Sequence, residues 1–291
     1  MSKISKSVEK TLFFIPLFIG MYLFKLLPCI QVIITSFKED YNFSTESYSN
    51  VGIGNYRSIL SDPNFRSAVV NTGIYTVIVV SATVFFSIIL SWSLYRITRF
   101  SNLLQLFIFL PLISSDIAVG MSWRYIFSDN GIINSFLASV SLNEIGWLSD
   151  KNMSLVIFIL YGIWCSLPFS TLLLLSSLQQ MDKNVLIAAK LDKASETTVF
   201  LKIGIGFLKP TILSISVINC ISSWLAINGL FPLFSGLPGP YYNLYTVVYF
   251  IYEKMGDGNR AVGEACAAAA VLLMCISIFM IVRVFTRKWE K

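Results

Sequence analysis

The chain has 291 residues, of which 55% are hydrophobic and only 13% are charged. Soluble domains carry about one-quarter charged residues and could not hide so much apolar surface from water. The sequence contains no histidine, which excludes catalytic, metal and proton-relay sites built on that side chain. In a chain this apolar, the net charge of +6 is better explained by loop charges that orient a membrane protein than by nucleic-acid binding.

Long apolar segments recur along the chain and predict about six transmembrane helices. They are continuous rather than alternating, as in residues 79–92, which favours helices over a closed barrel. Each segment reaches the roughly 20 residues that a spanning helix needs. The predicted spans are residues 11–34, 69–95, 103–127, 153–178, 210–231 and 261–284. We therefore predict an all-α integral membrane protein, with residues 1–291 forming a single transmembrane domain.

Lysine and arginine are distributed unequally between the two sides that these spans define. If the N-terminus is cytoplasmic, the cytoplasmic segments hold twice as many of these residues as the outer segments. Cytoplasmic loops of membrane proteins carry such an excess. We therefore expect both termini and the loop 179–209 in the cytoplasm, and the loops 37–68 and 232–260 on the outer side.

The predicted cytoplasmic loop 179–209 has a helical pattern of its own. Residues 184–190 read as a short amphipathic helix, and Asp182 or Asn184 is suited to cap its start. The pattern breaks at residues 191–195 and resumes from Glu196, leading into the next span. A helix–turn–helix knob of this kind beneath a membrane offers a surface to another protein.

This loop resembles the EAA loop of permease subunits from binding-protein-dependent ABC importers, whose pattern is approximately E-A-A-x-x-D-G-A followed by I-x-L-P. The matching residues are Ala188, Ala189, Asp192, Ala194, Ser195, Phe200 and Ile203. Ile187, Lys193 and Gly206 replace the glutamate, glycine and proline of that pattern. In that family the loop forms a coupling helix in a cleft of the ATPase subunit. The resemblance implies that ATPase coupling depends on Ile187, Ala188, Ala189, Asp192, Lys193, Ala194 and Phe200.

Other segments extend the resemblance to about residues 11–285 and point to the maltose-type permeases of sugar and glycerol-3-phosphate importers. Residues 51–76 resemble the family's entry to the second span, and residues 109–137 resemble its third span and outer loop. Residues 147–150, 162–164 and 232–255 match further family segments.

The resemblance implies a set of partners and a location. The chain would form half of the translocation pore of a carbohydrate importer, paired with a second, homologous permease in a heterodimer. Two ATP-binding subunits and an extracytoplasmic solute-binding protein would complete the assembly in the bacterial cytoplasmic (inner) membrane. An oligosaccharide is the expected cargo.

The sequence carries no motif for a bound nucleotide or metal. It has no GxxxxGK[ST] phosphate loop. Its five cysteines lie in apolar stretches, are odd in number and form no CxxC pair, so we expect free thiols. We therefore expect that this chain binds no cofactor and is not an enzyme, and that ATP and Mg bind to the partner ATPase.

Polar and aromatic residues within the predicted spans are candidates for the substrate pathway. A carboxylate in a span, such as Asp116, costs at least about 2.5 kcal/mol if it faces lipid, so it should face protein or water. Helical spacing places Asn219 beside Ser223 on the fifth span. Hydroxyl, amide and ring groups suit sugars, although helix–helix contacts explain such residues equally well. The candidates are Asp116, Trp164, Asn219, Ser223, Trp224 and Asn228.

Two alternative functions belong to other classes. An ion-coupled secondary transporter of a small polar solute would need a coupling site, for which Asp116 is the one good intramembrane carboxylate in the sequence. An intramembrane enzyme would need catalytic groups, and no paired carboxylates stand out.

The orientation is tested by single cysteines introduced at Lys190 and Ile145. Because Lys190 lies in the predicted cytoplasmic loop and Ile145 in an outer loop, a membrane-impermeant thiol reagent added to intact cells should label position 145 and spare position 190. Permeabilised cells, in which both positions should react, provide the control. Labelling at position 190 but not 145 in intact cells would reverse the orientation.

Overall fold

The first part of the chain forms one long helical segment and a small hairpin. The structure, a computed structural model, describes residues 3–97, 101–226, 229–258 and 261–288. The segment consists of α1 (Lys3–Met21), one π-helical turn (Tyr22–Leu26) and α2 (Leu27–Ser36). Its apolar part, Leu12–Ser36, is long and apolar enough to cross a membrane and coincides closely with the first predicted span, residues 11–34. Strands β1 (Lys38–Glu39) and β2 (Asn50–Val51) then pair antiparallel.

The second span follows a short helix and begins at a well-formed cap. Helix α3 covers Gly54–Ser61 and helix α4 covers Pro63–Arg96. The Asp62 carboxylate accepts the N–H of Asn64 at 2.8 Å, and Pro63 occupies the first helical position, where no N–H is needed. This start lies six residues before the predicted residue 69 because the cap and the proline set the boundary.

The third predicted span, residues 103–127, is not one continuous helix. It consists of α5 (Ser101–Ile113) and α6 (Asp116–Ile126), which are bent by 103° relative to each other. Pro111 lacks the N–H that would continue the hydrogen-bond ladder, and Ser115 has an extended backbone with ψ 130°. A new helix therefore starts at Asp116.

The fourth predicted span, residues 153–178, coincides with a helix to within two residues and leads into the helical loop. Helix α7 covers Ile132–Ser139, α8 covers Lys151–Gln179, and α9 covers Lys183–Leu191. The Asp150 carboxylate caps α8 by accepting the N–H groups of Asn152 and Met153. The Asp182 carboxylate caps α9 by accepting the N–H of Asn184 at 2.9 Å, as the loop sequence predicts.

The fifth span starts and ends earlier than predicted. It runs through α10 (Glu196–Thr198), a π-helical stretch (Val199–Gly204) and α11 (Ile205–Trp224). Ser195 caps its start, and Leu225 at its end has left the helical conformation. The predicted boundaries, 210–231, are therefore wrong at both ends. The remaining elements are α12 (Leu230–Phe234), a 3-10 turn (Pro240–Tyr242), α13 (Val247–Gly256) and α14 (Val262–Lys288).

The described ranges contain five helices long and apolar enough to cross a membrane, or six if the bent pair α5–α6 counts as one span. The fold is mostly helical, and this is the architecture expected of a multi-pass membrane protein. By contacts the chain divides into two compact units, one comprising residues 1–66 and 250–274 and the other residues 67–249 and 275–291.

The first unit contains a charged cluster around Lys254. The ammonium group contacts the carboxylate of Glu264 at 2.7 Å and that of Asp62 at 3.6 Å, and it lies 5.4 Å from the centroid of the Phe250 ring. Burial lowers the pKa of Lys254, but the two carboxylates outweigh this effect and raise the pKa above its ordinary 10.5. The Ser58 hydroxyl donates to Glu264, which links α3 to α14.

The second unit has its apolar core between α4, α8 and α11. Leu174 and Leu178 of α8 pack with Leu208 and Ile215 of α11 and are fully buried. The first turns of the fifth span are attached to the end of α4. The Phe200 ring lies 5.2 Å from Trp92, measured between centroids, and Glu196 pairs with Arg96. Because Glu196 is mostly exposed, the packing contributes more than the ion pair.

The charged cluster predicts the effect of removing its cation. Lys254→Met leaves two partly buried carboxylates without their partner, and we expect it to lower the free energy of unfolding by about 1–3 kcal/mol. Thermal unfolding in detergent measures this. Because the pKa of Lys254 is raised in the folded protein, the full loss of unfolding free energy is expected below pH 10.5. The loss should shrink as the pH rises past this raised pKa. Lys254→Arg keeps the charge and is the control; equal losses in both variants would contradict the electrostatic explanation.

Two glycines of the fifth span form a matched pair. A Cβ at Gly204 would lie 2.7 Å from the Trp92 ring, whereas one at Gly206 would meet no atom within 4 Å. We expect Gly204→Ala to destabilise the protein by about 1–3 kcal/mol through overpacking. Gly206→Ala should instead stabilise it by about 0.5–1 kcal/mol because alanine favours the helix. Thermal unfolding compares them, and shifts of the same sign would show that Trp92 does not limit the approach of this helix.

Candidate functional site

A cavity of about 290 Å³, with both polar and apolar groups in its lining, lies where the break between α5 and α6 meets α4, α8 and the end of α11. Its lining combines phenol, hydroxyl and carboxylate groups with small residues. The lining residues are Tyr75, Asp116, Tyr161, Gly162, Cys165, Ser166, Ser222, Ser223, Leu225, Ala226 and Gly229. All of them belong to the second unit.

Asp116 reaches the cavity because it is the first residue of α6, directly after the break. The Tyr161 hydroxyl donates to the backbone carbonyl of Asp116 at 3.3 Å, which fixes the start of α6 against α8. A Cβ at Gly120 would clash with Pro232, so α6 also fits closely against α12. Contacts of α6 with two other helices, α8 and α12, therefore position Asp116 at the cavity.

Glycines allow the tyrosines to approach the cavity wall. A Cβ at Gly162 would clash with the Tyr75 hydroxyl, and one at Gly229 would lie 2.8 Å from the Tyr161 ring. The Tyr75 ring also stacks on Phe158 with centroids 4.5 Å apart. The two phenols are thus fixed in position and can donate and accept hydrogen bonds.

The cavity has the chemistry of a site for a polyhydroxylated solute. Its serine and tyrosine hydroxyls and its carboxylate offer both donors and acceptors, and ring surfaces offer apolar contact. No group of His, Cys, Asp and Glu residues able to hold a metal occurs in the described part of the chain.

The structure brings together two of the predicted pathway residues, Asp116 and Ser223, at this cavity. Asn219 is not among the lining residues: it is 4% exposed, and its amide donates to the Ser170 hydroxyl at 2.9 Å. It therefore joins α11 to α8. Asn228 lies outside the described residues.

The two predicted tryptophans pack against other aromatic rings. Trp164 lies 5.8 Å from Trp123, and Trp224 lies 6.1 Å from Phe279, both measured between ring centroids. Neither lines the cavity. Trp224 is the last residue of α11.

Sequence reasoning missed most of the hydroxyl groups of the cavity. Tyr161 and Cys165 are four residues apart on α8, as are Gly162 and Ser166, so they share one helix face. Small and polar residues at this spacing in an apolar helix are the signal that could have identified them.

Helix α9 ends in a Schellman motif that explains the pattern of the loop. The N–H of Ala194 donates to the carbonyl of Ala189 at 3.0 Å, and the N–H of Lys193 donates to that of Lys190 at 3.1 Å. Lys193 has the left-handed φ of 53° that this motif requires and that glycine adopts at lower cost. The position where the family pattern has glycine is therefore the stop of the helix.

The exposed face of α9 differs from the one predicted. Ala189 is only 6% exposed, so its side chain packs inward and is not available to a partner. Ile187 and Leu191 are 54% and 79% exposed, and with Ala188 they form one stripe because they lie three and four residues apart. Phe200 packs inward against Trp92. The outward surface of this helix is therefore apolar at Ile187, Ala188 and Leu191.

Comparison with known proteins supplies relatives and a fold. No protein-family model matches the chain. It is 26% identical over 243 residues to the lactose transport system permease protein LacF of Rhizobium radiobacter, covering 82% of each chain. It is 27% identical to the arabinooligosaccharides transport system permease protein AraP of Bacillus subtilis, covering 96% of this chain and 88% of that one. The sn-glycerol-3-phosphate permease UgpA of Brucella abortus is 26% identical, covering 86% and 84%.

The solved structures agree with this fold. A bacterial ABC transporter involved in the import of the acidic polysaccharide alginate matches over the whole length of both chains with a TM-score of 0.86 and 17% identity. The same kind of transporter, in complex with an alginate pentasaccharide-bound periplasmic protein, matches with a TM-score of 0.82. The chain is thus a homologue of the permease subunits of sugar and glycerol-3-phosphate ABC transporters and has the fold of an ABC importer permease.

Proposed function

We propose that this chain is one of two permease subunits of an ATP-driven carbohydrate importer, and that it forms half of the translocation pore. The observation that carries the proposal is the cavity beside the broken third span, whose lining includes hydroxyl, phenol and carboxylate groups. Irregular backbone at membrane depth is stable only where protein or water satisfies its polar groups. Such breaks flank the solute sites of many transporters.

The pathway then runs through the cavity. A sugar gains hydrogen bonds from Ser222, Ser223 and the phenols of Tyr75 and Tyr161, and these replace its bonds to water. Alternating access requires the spans around the cavity to tilt, so that it opens first to one side of the membrane and then to the other. A solute enters from the outer side, near residues 232–260.

Helix α9 couples the permease to ATP hydrolysis in the ATPase subunit. Its stripe of Ile187, Ala188 and Leu191 packs into the ATPase subunit, and the isoleucine in place of glutamate makes this contact apolar rather than ionic. A displacement of α9 passes to the fifth span, whose first turns are attached to α4 by Phe200 and Trp92. Closure of the ATPase dimer thereby moves both walls of the cavity.

The complete transporter needs further subunits. A second, homologous permease supplies the other half of the pore, and two ATP-binding subunits hold ATP and Mg, so that this chain itself catalyses no reaction. An extracytoplasmic solute-binding protein delivers the sugar, as the alginate transporter with its periplasmic protein suggests. The transporter lies in the bacterial cytoplasmic membrane, with both termini of this chain in the cytoplasm, and residues 1–291 act as one transmembrane domain. The relatives favour this function over an ion-coupled secondary transporter.

The apolar stripe of Ile187, Ala188 and Leu191 predicts that a charge placed on it weakens the contact between α9 and the ATPase. Leu191→Glu buries an unpaired carboxylate in the proposed interface, which costs several kcal/mol. We expect at least about tenfold less ATPase to copurify with the permease, and loss of substrate-stimulated ATP hydrolysis in proteoliposomes.

Leu142→Glu is the matched control, because Leu142 is also exposed, at 58%, but lies in a predicted outer loop. It should copurify with ATPase like the wild type. Normal copurification and coupled hydrolysis in Leu191→Glu would show that α9 is not the docking element.

A further inference from the structure

We infer that this chain carries a second solute site, which binds one end of a sugar before the sugar reaches the cavity. The class of solute rests on the proposed function. The site is a pocket of about 360 Å³, here the outer pocket, between the end of α6 and the loop that follows α12. Ligand pockets in proteins have volumes of about 300–1,000 Å³. All residues that line the outer pocket belong to the second unit and lie at or beside predicted outer loops.

The outer pocket has charged and hydroxyl groups that the chain itself does not use. Its lining includes Arg124, Asp129, Ser149 and Ser235, which are all exposed and therefore open to a solute. Among the described residues, these four side chains form no ion pair or hydrogen bond. A guanidinium donates hydrogen bonds, a carboxylate accepts them and a hydroxyl does both, so the four groups together match the hydroxyls of a sugar.

An apolar wall completes the outer pocket. Leu233 and Phe234 line it and are only 1% and 8% exposed, and Leu148 lies half-buried beside them. Convergent polar groups against an apolar wall are typical of small-molecule sites. A protein partner would instead have to cover about 800 Å² of this chain. The combination in one concave site therefore favours a small solute over a segment of another protein.

One buried amide fixes two walls of the outer pocket. Asn134 is 2% exposed, and its side-chain N–H groups donate to the carbonyls of Asp129 and Ile145, both at 3.0 Å. Its side-chain oxygen accepts the indole N–H of Trp147 at 2.9 Å. The amide thus joins the turn that carries Asp129 to the segment that leads into Ser149. A preformed site of this kind loses less free energy to ordering when a solute binds.

The loop after α12 forms the remaining wall and is also fixed. Ser235 has a left-handed backbone with φ 59°, which is strained for a residue other than glycine. Hydrogen bonds on both sides of Gly236 hold the turn, because its N–H donates to the Phe231 carbonyl at 3.0 Å and its carbonyl accepts the Tyr249 hydroxyl at 3.2 Å. Strain that is held in this way is frequent at ligand sites.

The outer pocket and the cavity lie at opposite ends of one helix pair. Helix α6 starts at the cavity with Asp116 and reaches the outer pocket at Arg124, eight residues or about 12 Å further along the helix. Helix α12 packs on α6, with Gly229 at the cavity before its start and Leu233 at the outer pocket. A sugar held at the outer pocket is therefore close to the place where it enters the cavity.

The test measures protection of an introduced thiol by sugars. Ser149→Cys places the thiol in the outer pocket, and Leu142→Cys is the control, because Leu142 is 58% exposed and does not line the pocket. The assembled permease–ATPase complex is reconstituted in proteoliposomes without a solute-binding protein. A membrane-impermeant maleimide is added with lactose, maltose, raffinose or maltotriose at rising concentration, and labelling of the native cysteines is subtracted.

We expect at least one of these sugars to slow the labelling of Ser149→Cys at least about threefold at saturation. The labelling of Leu142→Cys should stay unchanged. Leu237→Cys provides a second reporter in the pocket, because Leu237 is 60% exposed and lines it.

Charge-removing variants assign the protection to the outer pocket. In the Ser149→Cys chain, we expect Arg124→Gln or Asp129→Asn to raise the sugar concentration for half-protection by about tenfold, because each removes a hydrogen bond to an ionised group. Glu144→Gln removes an exposed charge that does not line the pocket and should leave this concentration unchanged. Binding at the cavity alone would not depend on Arg124 or Asp129.

Three results would overturn the inference. Absence of protection by every sugar at both reporters shows that the outer pocket binds no sugar. Equal half-protection in the parent chain, Arg124→Gln and Asp129→Asn shows that the polar groups of the pocket do not hold the sugar. Protection only by added, sugar-free solute-binding protein makes the pocket a docking surface. Each result leaves the proposed function standing, because ATPase copurification and ATP-driven transport test that function separately.

Discussion

The hydrocarbon interior of a membrane offers no hydrogen-bond partner to the backbone, and this constraint governs the whole structure. Most of the chain meets it with continuous helices. Two interruptions stand out, one between Ile113 and Asp116 and one after Trp224. Both border the same cavity, since Asp116 and Leu225 line it. The residue that starts the helix after one break and the residue that follows the other therefore lie at one cavity, whose lining includes several hydroxyl groups.

Hydropathy predicted where the spans lie but not where helices stop. The fourth span was predicted within two residues because Asp150 caps it and polar residues flank it. The break in the third span was missed because Pro111 and Ser115 scarcely lower the hydropathy of their surroundings. The fifth span was predicted too far towards the C-terminus because Leu225 and Ala226 remain apolar although α11 has ended at Trp224. Hydropathy reports the solvent of a segment, whereas capping and φ/ψ preferences decide its ends.

The site was only partly predictable for a similar reason. Asp116 was identified because a carboxylate in an apolar segment is rare. Tyr75 and Tyr161 were missed because tyrosine is common at membrane interfaces and packs well in cores. Asn219 was assigned to the pathway, yet its partner is Ser170. A sequence shows that an amide lies in a span but does not show whether it faces a neighbouring helix or a cavity, because that depends on helix rotation.

The broken third span also has a consequence for how the protein is made. Helices α5 and α6 have 13 and 11 residues, and a segment needs about 20 to cross the bilayer as a helix. Neither half is therefore a self-sufficient membrane segment during synthesis. Their neighbours α8 and α12 are translated later, so α5 and α6 reach their packed positions only after the ribosome has passed residue 234. Until then the cavity lacks part of its lining. Helices α8 and α12, which are translated later, therefore complete the packing of α5 and α6, which are translated earlier.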